Sequence, residues 1–201
     1  MTLTGLSVRL ELLTLDHVAD LARVGLDPEL WRWIPTGVTT EEDMRVYVLT
    51  ALEEQSRGVS LPFAIVDRAG DQVIGSTRYA NIDSRNRRLE IGWTWLTSSH
   101  QRTMANTETK LLLLTHAFET LEMNRVEFKT DALNEQSRRA IKRLGAIEEG
   151  TFRQHVVTAS GRVRDTVYFS IIAAEWPATK EKLAGLHQRV PASASGDQVF
   201  H

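Results

Sequence analysis

Hydrophobic positions along this chain change their spacing several times, and each change predicts a new element. Residues 7–13 (SVRLELL) alternate apolar with polar, the period of two expected of a strand with two different faces. Thr14 follows as a candidate N-cap, although His17 stands three residues on, where a capping box has Glu or Gln. Leu15, Val18, Ala19, Leu21 and Ala22 then fall at helical spacing and predict a short helix ending near Gly25. Pro28 opens a second helical region (PELWRWI), in the first turn where proline is tolerated. A third opens at Thr39 or Thr40, with Glu41, Glu42 and Asp43 at the end where acids complement the helix dipole. Met44, Tyr47, Val48 and Ala51 form its apolar face, and Arg57 and Gly58 stop it.

A run of strands comes next. Residues 62–67 (PFAIVD) and 72–80 (QVIGSTRYA) predict a hairpin around a turn containing Gly70. After a polar connection, Leu89, Ile91, Trp93 and Trp95 alternate with Glu90, Gly92 and Thr94 and extend the hairpin into an antiparallel meander. This strand runs through a loop of hydrogen-bonding side chains, Ser98 to Thr103, into a helix entered at about 104–107, where Leu111, Leu114 and Phe118 mark one face. Residues 125–130 predict a short strand, and 134–144 a helix capped by Asn134 and closed by Gly145. Residues 148–158 and 164–172 predict a second hairpin, and 175–188 a terminal helix. The strands at Leu89 and Arg125 are joined by a helix, so they should run parallel with a right-handed crossover. The expectation is an α+β fold with a mixed, mostly antiparallel central sheet and helices on both faces. Residues 1–187 read as one domain, and 188–201 as a flexible C-terminal tail.

Composition narrows the chemistry. The absence of cysteine removes disulfides, thiolate metal sites and a Cys nucleophile together, and the scattered histidines leave no metal site to expect. No signal sequence and no apolar run near the roughly 20 residues of a membrane span is visible, so no membrane association and a cytoplasmic location are expected. A net charge of −2 argues against a general nucleic-acid binder. The charges are nevertheless unevenly placed. Basic residues gather at Arg85, Arg87, Arg88 and Arg102 and again at Arg138, Arg139, Lys142 and Arg143, whereas acids crowd the first quarter of the chain. These are either solvated helix faces or the surroundings of a polyanionic ligand.

A polyanion has one obvious place to bind. The first N–H groups of a helix lack intrahelical acceptors and lie at the positive end of its dipole, so the helix start after Gln101 is a ready anion site. A phosphate loop of the Walker type, a dinucleotide GxGxxG and a GxSxG elbow are all missing.

The order of elements, the segment EIGWTWL, the loop QRTMANTETK, the pair Asn134 and Ser137, and KRLGA at 142–146 resemble the GNAT superfamily of N-acetyltransferases. Within it they resemble the branch that acetylates ribosomal-protein N-termini. The resemblance covers roughly residues 7–187 and implies transfer of an acetyl group from acetyl-CoA to an amine. It implies that Trp95, Leu96 and Thr97 line the thioester, while the turn of Gln101, Arg102, Thr103, Met104, Ala105, Asn106 and Thr107 wraps the pyrophosphate. Asn134 resembles the residue that bonds the pantetheine or phosphate region, Ser137 the one near the sulfur, and Arg143 belongs to the basic surroundings of the cofactor. Asn134 reads equally as a plain helix cap. The superfamily has Gly where Met104 stands and Gly or Ala where Asn106 stands, so a non-glycine loop geometry is expected, with Asn106 and Thr107 taking part.

For the chemistry, Glu90 is the expected base for the incoming amine, with Ser137 and then Tyr168 as donors to the departing thiolate. Glu90 also reads as an outward strand carboxylate paired with Arg78 or Arg88, and Tyr168 as a core ring. Trp31 and Trp33 lie in the region that edges the acceptor cleft in this family, and also read as core; His155 could relay a proton or be structural. The expected acceptor is a protein N-terminal amine. A small amine, or a CoA-binding module without catalysis, remains open, and a homodimer through the Trp-rich surface is also implied.

Overall fold

A computed structural model describes residues 1–188 of the chain; the expected tail, apart from the Gln188 that closes the last helix, lies outside the described residues. Eight strands form one sheet: β1 (Thr2–Thr4), β2 (Val8–Leu12), β3 (Leu61–Asp67), β4 (Gln72–Asp83), β5 (Arg88–Leu96), β6 (Arg125–Asp131), β7 (Ile147–Val157) and β8 (Val163–Ile172), in the spatial order β1-β2-β3-β4-β5-β6-β8-β7. Every neighbouring pair is antiparallel except β5 with β6, which is parallel. Six helices accompany it: α1 (Val18–Gly25), α2 (Pro28–Trp31), α3 (Glu41–Ser56), α4 (Met104–Thr115), α5 (Glu135–Leu144) and α6 (Trp176–Gln188). The fold is α+β with a mixed, mostly antiparallel sheet. β1 was not foreseen, because three residues are too few to establish a period.

Alternation along the strands divides the core into two. Phe63 and Ile65 of β3 face the layer that contains α4, α5 and α6, whereas Ala64 and Val66 face the layer of α1, α2 and α3. The caps follow the residue chemistry. Asp27, Thr40, Thr103 and Asn134 each accept a bond from an N–H in the first turn of the helix they precede. Gly145 takes φ 103° behind α5, a conformation that costs glycine nothing. At Thr14 the box expected to be incomplete is completed by histidine: the Thr14 N–H donates to His17 Nδ1 at 3.1 Å.

One strand departs from its predicted period. Leu89 and Ile91 of β5 face the α4 layer, but Trp95 packs into the α1–α3 layer and Leu96 returns to the α4 side. The phase changes at Trp93, whose φ of 54° accompanies a register shift against Ser76 and Arg78 of β4. This is a bulge, which adds a residue, twists its strand and re-aims the side chains beyond it. Trp93 is held there by the Arg78 guanidinium, which lies 4.7 Å from its ring centre and 4.9 Å from that of Tyr47 and pairs with Glu54 at 3.0 Å.

Helix α4 is fixed to the sheet by a carboxylate. Glu108, 3 % exposed, accepts from the backbone N–H groups of Leu6, Ser7 (2.8 Å) and Val8 (3.0 Å) and from the Ser7 hydroxyl, so one side chain on α4 serves the whole turn between β1 and β2. Replacing it strands buried donors. Glu108→Ala is expected to destabilise the fold by about 3 kcal/mol, read as a lower denaturant midpoint at unchanged m; a loss under about 0.5 kcal/mol would show that water replaces the carboxylate.

Candidate active site

The parallel ladder between β5 and β6 is short. It joins Arg88 to Arg125, Leu89 to Val126 and Glu90 to Glu127, and ends there. Past Glu90 the strands part, with the Trp93 bulge bending β5 toward β4. A cavity of about 710 Å³ occupies the opening, a size ordinary for a small-molecule site. Its walls include Trp95 and Leu96 of β5, Phe128 and Thr130 of β6, Ser137 and Ile141 of α5. Two further walls come from β8 and from the segment that follows α2. These two are tied together, since Ala159 N–H donates to Pro35 O at 3.2 Å and Arg164 Nη1 to Trp33 O at 3.4 Å.

The start of α4 stands at the mouth of this opening. After Leu96 a single turn, Ser98–His100, leads to Gln101, whose side-chain amide donates to Leu96 O at 3.1 Å and ties the loop to the strand end. Arg102 then adopts φ 61°, the left-handed conformation usually left to glycine, and Thr103 caps Ala105 N–H at 3.2 Å. The glycine-like backbone therefore sits at Arg102. Met104 and Asn106 are ordinary helical residues without positive φ, so a side chain at either causes no backbone strain. Gln101, Arg102 and Asn106 line the cavity. Thr97, Thr103, Met104 and the buried Ala105 and Thr107 are not among the residues that line it. Arg143 is exposed on α5 and does not line the cavity.

Inside, charge is arranged around Glu90. This side chain is 7 % exposed and its Oε2 accepts from Lys129 Nζ at 2.7 Å and from Asn81 Nδ2 at 2.6 Å. Its partner is thus neither Arg78 nor Arg88, which pair with Glu54 and with Asp83 and Glu127. Gly92 leaves room beside it, since a Cβ there would lie 2.8 Å from Glu90 Oε1 and oblige the carboxylate to shift. Burial opposes the charge on Lys129, but the Glu90 carboxylate, together with Tyr168 and Glu127, holds the lysine above its ordinary value. Ser137 and Tyr168 both line the cavity, half-buried, and the Tyr168 ring lies 4.9 Å from Lys129 Nζ and 4.3 Å from the Phe152 ring. Asn134 also reaches the cavity while acting as a cap, its Oδ1 accepting from Ser137 N–H at 3.0 Å.

One group went unnoticed in the sequence. Lys110 of α4 is 6 % exposed, lines the same cavity, and donates to Thr94 Oγ1 at 2.5 Å. Burial pushes its pKa down to about 7, against the pull of the Glu90 carboxylate. The signal was present as a cation six residues into a helix among leucines, at a position the helical period turns inward. The cavity thus holds the Glu90–Lys129 pair, the amine of Lys110 and several hydroxyls, those of Ser137 and Tyr168 among them.

Trp31 does not belong to the cleft. It is 5 % exposed, its indole N–H donates to Gly25 O at 2.7 Å, and its ring packs 5.4 Å from Trp95 and 5.2 Å from Tyr47. Its role is to back the Trp95 that does line the cavity. Trp33 lines the wall, half-buried, and His155 lies at the rim in edge contact with Phe152 and Tyr168. The tryptophans offer little exposed surface for the expected homodimer: Trp31, Trp95 and Trp176 are buried and Trp33 and Trp93 half-buried.

A sheet opened between two parallel strands, with a helix start at the opening, agrees with the architecture that the sequence resemblance implies. The profile of the acetyltransferase (GNAT) domain matches residues 7–147, and the chain belongs to the GNAT family of N-acetyltransferases. Its fold is shared with a GCN5-related N-acetyltransferase from Brucella melitensis, with TM-score 0.85 and 32 % identity, covering 92 % of this chain and 84 % of that one. YdaF of Bacillus subtilis, provisionally named a ribosomal N-acetyltransferase, is 37 % identical over 100 residues, which span 50 % of this chain and 54 % of that protein. The ribosomal-protein-serine acetyltransferase of Escherichia coli is 29 % identical over 153 residues, 74 % of this chain and 83 % of that protein. No helix among the described residues is long and apolar enough to cross a membrane.

The buried lysine has a consequence for stability. Between about 7 and its ordinary 10.5, the unfolded chain binds a proton at Lys110 that the folded chain does not, so this residue's cost is full below 7 and fades as pH rises to 10.5. Lys110→Met is therefore expected to raise the melting temperature at pH 6 and to lose much of that advantage by pH 10. An equal shift at both values would mean that Lys110 keeps its charge in the fold.

Proposed function

We propose that the chain transfers the acetyl group of acetyl-CoA to a primary amine at the end of a polypeptide, in the cytoplasm. The observation that carries this reading is the parting of β5 from β6 immediately past Glu90, with the first turn of α4 at the opening. That opening offers the free edge of β5 to an extended pantetheine arm and helix N–H groups to a pyrophosphate. The cavity suits such a cosubstrate in another respect: the Trp95 indole N–H is buried on its wall with no partner among the described residues, a donor to which a carbonyl oxygen is complementary. The names of the relatives, two of them referring to ribosomal proteins, support a polypeptide acceptor.

On this reading the amine enters from the side of Trp33 and Tyr168 and reaches the thioester carbon as the free base. Glu90 takes its proton, directly or through one water, with Lys129 and Asn81 fixing the carboxylate and Gly92 leaving room for it. A backbone N–H near Leu96 serves as donor to the carbonyl oxygen as charge gathers on it. Ser137, with Tyr168 behind it, supplies a proton to the departing thiolate. Lys110, largely neutral above pH 7, adds no further positive charge to the cavity.

The test is thiol release from acetyl-CoA against a panel of peptides with free N-termini, the same peptides N-terminally blocked, and polyamines. Turnover confined to free N-termini is expected; turnover of polyamines alone would replace the polypeptide acceptor with a small one. Glu90→Gln is expected to lower kcat/KM by about 10²–10⁴, with CoA affinity held within a few-fold. Near-wild-type turnover across neutral and alkaline pH would remove Glu90 from the base role.

A further inference from the structure

The β8 wall of the cavity carries polar groups whose hydrogen-bonding capacity the fold leaves mostly unused and the proposed chemistry does not draw on. Arg164 and Thr166 both line the cavity and stand two residues apart, so they project from one face of β8, the face that continues to Tyr168. Arg164 is 7 % exposed and Thr166 1 %. Among the described residues the Arg164 Nε and the Thr166 hydroxyl have no hydrogen-bond partner, and the one hydrogen bond of the guanidinium is the long contact of 3.4 Å to Trp33 O.

Arg164 also lacks a carboxylate at ion-pair distance among the described residues. The two acids near enough to be felt are committed elsewhere, Asp131 to Arg162 and Glu90 to Lys129. A guanidinium buried without a counter-charge is costly, and such groups persist where a ligand completes them. Nothing of the kind is needed to hold β8 in place, because its ladder with β6 runs without a register shift from Thr166 to Ile172.

Resting on the transferase reading, we propose that Arg164 and Thr166 form an acceptor subsite that holds a carbonyl or carboxylate oxygen within a few bonds of the amine to be acetylated. The group recognised is an α-amino carbonyl unit, which a peptide N-terminus supplies as an amide carbonyl and a free amino acid as a carboxylate. An amine without such an oxygen leaves both side chains buried and unpaired, and sites built to bond an oxygen reject analogues lacking it strongly. Recognition then falls on the backbone of the first residue, and its side chain is left to the Trp33 side of the wall.

The experiment is calorimetric titration of the CoA-saturated protein with alanyl-alaninamide, free alanine and isopropylamine, alongside thiol release from acetyl-CoA with the same three amines. At least one carbonyl-bearing amine is expected to bind more than 30-fold tighter than isopropylamine. Preference for alanyl-alaninamide over alanine identifies the peptide source, and the reverse the free amino acid. In Arg164→Met the preference over isopropylamine is expected to fall below threefold. Thr166→Val, a smaller change, should reduce it several-fold, and a CoA affinity within threefold of wild type in each variant reports an intact opening. Equal binding of all three amines by the wild-type protein, or an undiminished preference in Arg164→Met, overturns the subsite. Selective binding without turnover of any amine would leave the subsite standing and sink the transferase reading instead.

Discussion

The structure depends on where two parallel strands stop pairing. β5 and β6 share three register pairs and no more, and everything distinctive about the molecule lies beyond the last of them. Parallel strands joined through a helix would ordinarily continue side by side. Here the bulge at Trp93 turns β5 toward β4, and the Arg78 guanidinium, stacked on the Trp93 ring and anchored by Glu54, holds it turned. The backbone edge thereby released is what a cosubstrate can use, and the cavity is the space the missing ladder would have filled.

Helix α4 completes the opening because it is positioned from both ends. Glu108 fixes its body to the turn between β1 and β2, while Gln101 and Thr103 fix its entry to the end of β5. Its first N–H groups are then presented at the mouth without a glycine-rich loop. Arg102 alone takes the left-handed conformation, where the cost of about 1 kcal/mol is small against the anchoring on either side. The same helix sends Lys110 inward, so the element that offers an anion site also sets the charge of the cavity floor.

Much of the fold was legible because its period is local. The helix starts at Thr39 or Thr40 and at Asn134, the turn at Gly145 and the hairpin of β3 with β4 are decided by neighbours within a few residues, and each was read with boundaries close to those observed. What was missed depends on distant partners. The phase change in β5 comes from Arg78 and Glu54, the anchoring by Glu108 from Leu6 to Val8, and the pairing of Glu90 from Lys129 and Asn81. The tryptophans illustrate the limit: Trp31 and Trp33 are two residues apart, yet one backs Trp95 in the core and the other faces the cavity. Arg164 and Thr166 were invisible as a pair because an alternating strand is full of polar positions, and only burial on a shared wall distinguishes them.

The central claim is that the space between β5 and β6 is the acetyl-CoA site. Amide hydrogen exchange measured with and without CoA tests it most directly, since it reads the backbone groups named here and needs no acceptor. Slower exchange on CoA addition is expected at residues 93–96 of β5, at Thr97 after it and at 103–107 at the start of α4, with β1 and β2 unchanged. CoA binding with protection confined to other segments, or with none at the α4 start, would contradict it.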